Sequence, residues 1–145
     1  MQRMNNMFLI DTDVVSELRK KDRADKGVLD FFQQYQVESD RCFVSSITVG
    51  ELRRGVELIR VRGDAQQAEL LERWLLQVKS VFANRILPVD LDVAELWGKL
   101  RVPDATHSID KLISATALIN TLTVVTRNIK HFERTGVPVL NPFNG

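Results

Sequence analysis

Short apolar runs alternate along the chain with segments in which apolar residues recur at helical spacing. Strand-like runs lie at 7–10, 41–45, 122–126 and 137–140, and a weaker run lies at 85–89. Continuous apolar runs of this length are typical of strands that are covered on both faces, as in a parallel sheet between helices. The pattern predicts a central parallel sheet of four to five strands.

The segments between these runs carry the helical pattern. Apolar residues repeat every three or four positions over 49–60, 64–83, 93–100 and 109–120. The stretch "RVRGD" at 60–64 divides the longest helical region, so it predicts an antiparallel helix pair. Helices that separate strands in this order indicate an α/β fold with right-handed crossovers.

Composition limits the class of protein. A chain of 145 residues with 44% hydrophobic content fits one domain, spanning 1–145, with a single sizeable core. The net charge of +1 gives no general sign of a nucleic-acid-coating protein, so any such contact requires a local patch. The single Cys42 cannot form an intramolecular disulfide and is expected in the core. With no signal-peptide or membrane-span pattern, we expect a cytoplasmic protein that makes no membrane contact.

Acidic residues follow the predicted strands at three separate places. Asp11 comes directly after the first strand and Asp13 two residues later; Glu51 opens the helix after the second strand, and Asp110 opens the helix before 122–126. Sites in open α/β sheets form at the carboxyl ends of the strands, so these acids are expected to converge. Clustered carboxylates repel one another unless a cation neutralises them, and Mg²⁺ or Mn²⁺ prefers oxygen ligands. The spacing therefore indicates a metal site.

Each acid except Asp11 also has a structural interpretation. Thr48 and Glu51 match the S/T-x-x-E capping box, Asp110 could favour a helix dipole, and Asp13 could cap the helix that follows it. Asp11 is harder to explain in this way, because the end of a buried strand is an unusual place for a solvated charge.

Few other side chains offer chemistry at this edge. Ser45, at the end of the second strand, could bind a phosphate or cap the next helix. Arg127, together with Arg53 or Arg54, adjoins the proposed site and could contact a phosphate backbone. The chain has no Gly-rich phosphate loop and no nucleophile-elbow serine.

The opening stretch "FLIDTDVVS" resembles the D-x-D signature of dehalogenase-like phosphatases. That resemblance implies a nucleophilic Asp11, which forms an aspartyl-phosphate, and a general acid/base Asp13. The family also needs an acidic pair after a later strand, but the later strand here gives "VVTRN", which has no acid. The phosphatase interpretation fails at its metal site.

A second resemblance covers nearly the whole chain. "FLIDTDVVSEL", "SSITVGELRRGVEL", "LPVDLDVAELWGKL" and "SIDKLISATALINTLTVVTRNIKHFERTGVPVLNPF" resemble, in order and spacing, four blocks of PIN-domain ribonucleases of the VapC/FitB toxin type. The resemblance implies a three-layer α/β/α fold with a central parallel sheet. It also implies a Mg²⁺- or Mn²⁺-dependent endoribonuclease in which the metal activates water for attack on a phosphodiester.

Residue roles follow from this resemblance alone. It implies that Asp11, Glu51 and Asp110 hold the metal and that Thr126 and Asn128 support the site. Two positions depart from the family pattern. Asp13 stands where the family more often has Asn, and His131, in "TRNIKHF", stands where it usually has a fourth acid. His131 could ligate Mn²⁺, touch a phosphate or face solvent, and Glu133 or Asp104 could replace the missing acid if the loops allow.

Partners are likewise implied by the resemblance. Toxins of this type are paired with an antitoxin that occupies the active-site groove and commonly brings an operator-binding domain, so contact with DNA would be indirect. The segments 49–60 and 64–83 offer apolar surface for an antitoxin helix or for a homodimer, although they could also pack only on the sheet. We expect a homodimer that forms a larger complex with the antitoxin. The sequence thus leaves three hypotheses: a toxin that cleaves RNA, a catalytically weakened PIN domain that acts as a binding module, and a small-molecule phosphatase.

Overall fold

Five short parallel strands form one sheet at the centre of the fold. The computed structural model describes residues 6–144. The strands are β1 (Phe8–Ile10), β2 (Cys42–Ser45), β3 (Ile86–Leu87), β4 (Thr123–Val125) and β5 (Val139–Leu140). Their order across the sheet is β3-β2-β1-β4-β5, and every neighbouring pair is parallel. The predicted parallel sheet is confirmed, with shorter strands than the apolar runs indicated.

Six α-helices connect the strands. They are α1 (Thr12–Leu18), α2 (Lys26–Tyr35), α3 (Ser46–Val61), α4 (Ala65–Val81), α5 (Leu91–Leu100) and α6 (Ser108–Asn120). Two 3-10 segments, Lys21–Arg23 and Ile129–Thr135, complete the regular structure. Gly63, with a φ of 88°, lies in the turn between α3 and α4, where its left-handed backbone favours glycine. The helix pair predicted around "RVRGD" is therefore confirmed.

Alternation along β1 explains the layers of the fold. Phe8 and Ile10 point into a core shared with α1 to α4, whereas Leu9 points into a core with Ile113 of α6. All three β1 residues are fully buried, as expected for a strand covered on both faces. Helices therefore cover both faces of the sheet, which is the three-layer α/β/α arrangement.

Cys42 lies in the first of these cores. It is fully buried, and burial raises the pKa of its thiol to about 11. A thiol with so high a pKa is an inert packing group at neutral pH, as the sequence indicated. Among residues 6–144, no helix is both long and apolar enough to cross a membrane.

The carboxyl ends of β1 and β4 lie side by side. Leu9 pairs with Val124 and Ile10 with Val125, so the residues that follow the two strands emerge together. Asp11 and Thr126 are these next residues, and Asp11 donates its backbone N–H to Val125 O at 2.9 Å. This edge of the sheet holds the candidate site.

Candidate metal centre

Asp11 is a buried carboxylate fixed by two hydrogen bonds. It is the N-cap of α1, where its Oδ1 accepts the backbone N–H of Thr12 at 2.8 Å. Its Oδ2 accepts the hydroxyl of Thr126 at 2.9 Å, and the backbone N–H of Asn128 donates to that hydroxyl at 3.1 Å. Only 6% of Asp11 is exposed. The end of β4 therefore orients the acid that follows β1.

Asp13 lies in the first turn of α1 and faces the same edge. Its Oδ2 accepts the backbone N–H of Arg127 at 2.9 Å. Its Oδ1 is buried and has no hydrogen-bond partner within the described part of the chain. The expectation that Asp13 caps α1 is wrong, because Asp11 holds that position. A buried oxygen without a partner is costly, and a cation is one group that could satisfy it.

The raised pKa values of these acids favour binding of a cation. The pKa of Asp11 is raised to about 7, first by burial, then by the negative charge of Asp13 and, to a smaller degree, of Asp110. The hydrogen bonds from Thr12 and Thr126 oppose this rise. Burial also raises the pKa of Asp13, with Asp110 adding to it. Asp11 and Asp13, close to Asp110, fit a hard divalent cation, which would relieve the repulsion felt by Asp11 and Asp13 and satisfy the unpaired Oδ1 of Asp13.

Asp110 joins this group from the first turn of α6, and two histidines contact it. Its Oδ2 lies 2.8 Å from Nδ1 of His131 and 4.0 Å from Nδ1 of His107. His131 belongs to the 3-10 segment after β4 and is half-buried. The His131 side chain is 38% exposed, so it faces solvent while its ring also bonds to a carboxylate of the site.

Glu51 lies in the second turn of α3, deeper than the sequence indicated. The helix begins at Ser46, and its N-cap is Ser45, whose hydroxyl accepts the N–H of Ile47 at 3.1 Å. The capping-box interpretation of Thr48 and Glu51 is therefore wrong. Glu51 is half-buried and lines a cavity of about 390 Å³ together with Thr12 and Ser16 of α1.

Ser45 and Thr48, near the start of α3, each form a hydrogen bond within the fold. Ser45 is fully buried, which leaves its hydroxyl to cap α3 rather than to meet a phosphate. Thr48 is also buried, and its Oγ1 lies 3.4 Å from Oγ1 of Thr12, joining α3 to α1. These contacts fix the helix that carries Glu51 against the helix that Asp11 caps.

The arginines considered at this edge differ in their surroundings. The guanidinium of Arg127 is exposed at the site and lies 4.6 Å from the centre of the Phe143 ring. Arg53 instead forms two bonds of 2.7 Å with the Glu72 carboxylate on α4. The expectation that Arg53 serves a phosphate is thus not supported, whereas Arg127 lies at the site edge, where its backbone N–H bonds to Asp13.

His107 is the residue that sequence reasoning missed. It precedes α6 in a left-handed backbone conformation, with a φ of 53°, and its ring stacks on that of His131 at 4.0 Å between centroids. The available signal was its position three residues before Asp110, one helical turn away. The stacking itself depends on a residue 24 positions later and has no local signature.

Comparison with known proteins identifies the family. The family model described as "PIN domain" matches residues 8–138. The chain is 39% identical to the plasmid stability protein StbB of Pseudomonas syringae pv. tomato, covering 94% of this chain and 99% of that protein. It is 35% identical to the toxin FitB of Neisseria gonorrhoeae, covering 95% and 99%. It is 32% identical to the VapC ribonuclease Y4jK of Sinorhizobium fredii, covering 94% and 98%.

Solved structures give the same result. A crystal structure described as FitAcB from Neisseria gonorrhoeae matches with a TM-score of 0.80 at 34% identity, covering 94% of this chain and 98% of that chain. A structure described as FitAB bound to an IR36 DNA fragment matches with a TM-score of 0.79 at 32% identity, covering 94% and 95%. The likeness extends over nearly the full length of both chains.

Proposed function

The chain belongs to the PIN domain family, and on that premise we propose that it is a Mg²⁺- or Mn²⁺-dependent endoribonuclease, the toxin of a toxin–antitoxin pair. The observation that carries the proposal is the grouping of Asp11, Asp13 and Asp110 at the carboxyl end of the sheet, where burial and neighbouring carboxylates raise the pKa of Asp11 and of Asp13. The 32% identical relative named a ribonuclease and the 35% identical relative named a toxin support it. The phosphatase hypothesis loses its basis, since the family match covers the whole D-x-D region.

Asp11, Asp110 and Glu51 are the residues that would hold the cation. When bound, a divalent cation supplies Lewis-acid polarisation of a phosphodiester and activation of water for in-line attack. Asp11 is oriented for this role by Thr126, and Thr126 is in turn held by the backbone of Asn128. The support role proposed for Thr126 and Asn128 thus rests on a continuous chain of hydrogen bonds.

Other residues of the chain position the substrate or the acids. The backbone N–H of Arg127 holds Asp13, and the position of this exposed residue at the site edge supports a role for it in contacting a phosphate of the RNA. Thr12, which follows Asp11, lines the same cavity as Glu51.

Cleavage of RNA by single-site variants tests the proposal. The chain purified free of antitoxin should cut RNA in Mg²⁺ or Mn²⁺ and stop when a chelator is added. Asp11→Asn, Glu51→Gln and Asp110→Asn should each reduce cleavage by about a hundredfold or more, the loss of about 2.7 kcal/mol of transition-state stabilisation. Expression of the wild type should also arrest growth, whereas the variants should not. Variants that cut RNA as fast as the wild type would disprove the assignment of these residues.

Asp13→Asn separates the two interpretations of the opening motif. In the ribonuclease, Asn at this position keeps an oxygen for the Arg127 N–H, so cleavage should stay within about tenfold of wild type, or 1.4 kcal/mol. In a phosphatase, the same change would remove the general acid/base and abolish turnover of p-nitrophenyl phosphate. Turnover of that substrate by the wild type, lost in Asp13→Asn, would favour the phosphatase.

An antitoxin is the partner we propose for this chain. The FitAcB and FitAB structures support it, and the second of them is described as bound to DNA. We therefore expect operator DNA to be contacted through the antitoxin, in the cytoplasm, where the RNA substrate is found. Co-expression with the protein encoded next to this chain should yield a stable complex and restore growth.

A catalytically weakened PIN domain is the second candidate, and His131 is the observation that favours it. The imidazole of His131 is hydrogen-bonded to Asp110, which is one of the acids proposed to hold the metal. This candidate predicts that the wild type binds RNA without cleaving it in either Mg²⁺ or Mn²⁺. Clear cleavage that depends on Asp11 would rule it out.

A further inference from the structure

Both histidines of the chain lie close to the same carboxylate oxygen, Oδ2 of Asp110. Nδ1 of His131 and Nδ1 of His107 lie 2.8 Å and 4.0 Å from Oδ2 of Asp110. The two rings are stacked, with centroids 4.0 Å apart and planes inclined by 23°. One ligand atom from each of the three residues lies within 4.8 Å of the others. Three groups capable of binding a metal thus occupy one small region beside Asp11 and Asp13.

The backbone holds these side chains from two different elements. His107 adopts a left-handed conformation immediately before α6, which is uncommon for a residue with a side chain. Its C=O accepts the N–H of Lys111 at 2.9 Å, so it is tied to the first turn that carries Asp110. His131 is held in the 3-10 segment by its N–H, which donates to Asn128 O at 3.0 Å. The fold therefore places the backbones of both histidines next to the first turn of α6, which carries Asp110.

The donor set differs in kind from that of the neighbouring acids. Two imidazole nitrogens with one carboxylate suit Zn²⁺, Co²⁺ or Ni²⁺, whereas Mg²⁺ prefers oxygen ligands and retains water. Bond lengths of about 2.0 to 2.2 Å place ligand atoms of a tetrahedral site roughly 3.3 to 3.6 Å apart. The observed separations of 2.8 Å and 4.0 Å lie on both sides of that range. Because imidazole lone pairs lie in the ring plane, closing the site requires one exposed histidine ring to rotate out of the stack.

We propose that His107, Asp110 and His131 form a binding site for a Zn²⁺-class transition-metal ion. The site goes beyond the ribonuclease assignment, since it is defined by its two imidazoles and requires no cleavage of RNA. It shares only Asp110 with the group that would hold Mg²⁺ or Mn²⁺. Three protein ligands leave a fourth position open to water or to a phosphate oxygen.

Metal titration of the untagged chain tests this site. A histidine tag would mask the signal, so the chain is prepared without one, treated with chelator and titrated with Zn²⁺ by calorimetry in excess Mg²⁺. We expect one Zn²⁺ per chain and a visible absorption band when Co²⁺ replaces it. His107→Gln and His131→Gln should each weaken Zn²⁺ binding at least about tenfold, and the double variant should lose the Co²⁺ band.

Glu133→Gln is the matched control. Glu133 is an exposed acid in the same 3-10 segment as His131 and lies outside the three-residue group. Its variant should bind Zn²⁺ as the wild type does. Circular dichroism of every variant shows whether a loss of binding reflects a loss of the metal ligand or a loss of the fold.

The outcomes separate this inference from the proposed function. Absence of Zn²⁺ binding in excess Mg²⁺, or unchanged binding by the folded double variant, overturns the site even if the chain cuts RNA in Mg²⁺. Binding of Zn²⁺ that depends on both histidines supports the site even if no RNA is cut. Weaker binding by Glu133→Gln, equal to that of the histidine variants, would point to general surface charge and also overturn it.

Discussion

At the scale of single residues, Asp11 carries a conflict between its surroundings and its charge. The N-cap position and the Thr126 hydroxyl favour the ionised carboxylate, whereas burial and the charges of Asp13 and Asp110 disfavour it more strongly. The pKa of Asp11 rises from 3.8 to about 7, so burial and the neighbouring charges outweigh the hydrogen bonds. In the metal-free chain, the residue most needed for the proposed cation site therefore destabilises the fold when ionised.

This conflict predicts an unusual dependence of stability on pH. Between about pH 4 and pH 7 the folded chain holds a proton on Asp11 that the unfolded chain has lost, so the free energy of unfolding falls as pH rises through that range. A shift of this size corresponds to at most about 4 kcal/mol. Asp11→Asn removes the charge and keeps a good N-cap. With chelator present, the variant should unfold at a higher temperature than wild type at pH 8 and at a similar temperature at pH 4.

Thermal melts with and without Mg²⁺ measure this effect. Mg²⁺ should raise the melting temperature of the wild type at pH 8 and have little effect on Asp11→Asn. Asp30→Asn, a change at an exposed acid on α2, is the control and should not alter either comparison. An Asp11→Asn chain that is less stable than wild type at pH 8 in chelator would show that the bonds to Thr12 and Thr126 outweigh the burial of charge.

At the scale of elements, the start of α2 is locked to the last described residues of the chain. Oδ1 of Asp25 accepts the N–H of Gly27 at 2.8 Å and that of Asn144 at 3.0 Å. A Cβ at Gly27 would lie 2.1 Å from the carbonyl oxygen of Pro142 and 2.6 Å from Oδ1 of Asn144. Glycine is required here by close approach of another backbone, not by its φ angle.

Gly27→Ala should therefore destabilise the chain in spite of the higher helix propensity of alanine. We expect a loss of about 1 to 3 kcal/mol in the free energy of unfolding, measured with urea, because the Pro142 backbone must move. Gly98→Ala on α5 is the matched control. Nothing within residues 6–144 lies within 4 Å of a Cβ there, so the change should add about 0.5 to 1 kcal/mol. Equal effects of the two changes would contradict the close contact at Gly27.

Sequence periodicity was informative for elements whose pattern is local. The segments 49–60, 64–83, 93–100 and 109–120 became α3 to α6, and all five strand-like runs became strands. Helix α2 was missed, although Val28, Phe31 and Phe32 recur at helical spacing and are buried. Helix starts were less predictable, because Ser45 and Thr48 are both acceptable caps for α3 and tertiary packing selects between them.

The candidate site was predictable as a set of acids but not as a bonded arrangement. Asp11, Asp13 and Asp110 could be found because each stands at the end of a strand or the start of a helix. The Asp11 contact with Thr126 spans 115 residues, and that of Asp110 with His131 spans 21. Such contacts depend on strand order and on the path of the 3-10 segment, which have no local sequence signal.

At the scale of the whole molecule, the α3–α4 pair combines ion pairs between the two helices with an outer surface of exposed apolar side chains. Arg53 and Arg60 on α3 both bond to Glu72 on α4, which joins the two helices. Beyond these ion pairs, large apolar side chains remain in solvent. They are Leu58 (37% exposed), Val61 (85%), Leu70 (55%) and Leu76 (64%). Packing on the sheet therefore accounts for only part of the apolar pattern of these helices.

We expect this outer surface to make the chain a homodimer, which charge on α4 should disrupt. The double variant Leu70→Glu/Leu76→Glu should sediment as a monomer at concentrations where wild type is a dimer, because a stable interface buries about 1,200 Å² or more and excludes unpaired charge. Leu91→Glu/Val102→Glu is the control, since both residues are about three-quarters exposed but lie outside the α3–α4 pair. Analytical ultracentrifugation measures the oligomeric state of the wild type and of both double variants. A monomeric wild type would contradict the dimer, and a monomeric control with a dimeric Leu70→Glu/Leu76→Glu variant would move the interface to the α5 side.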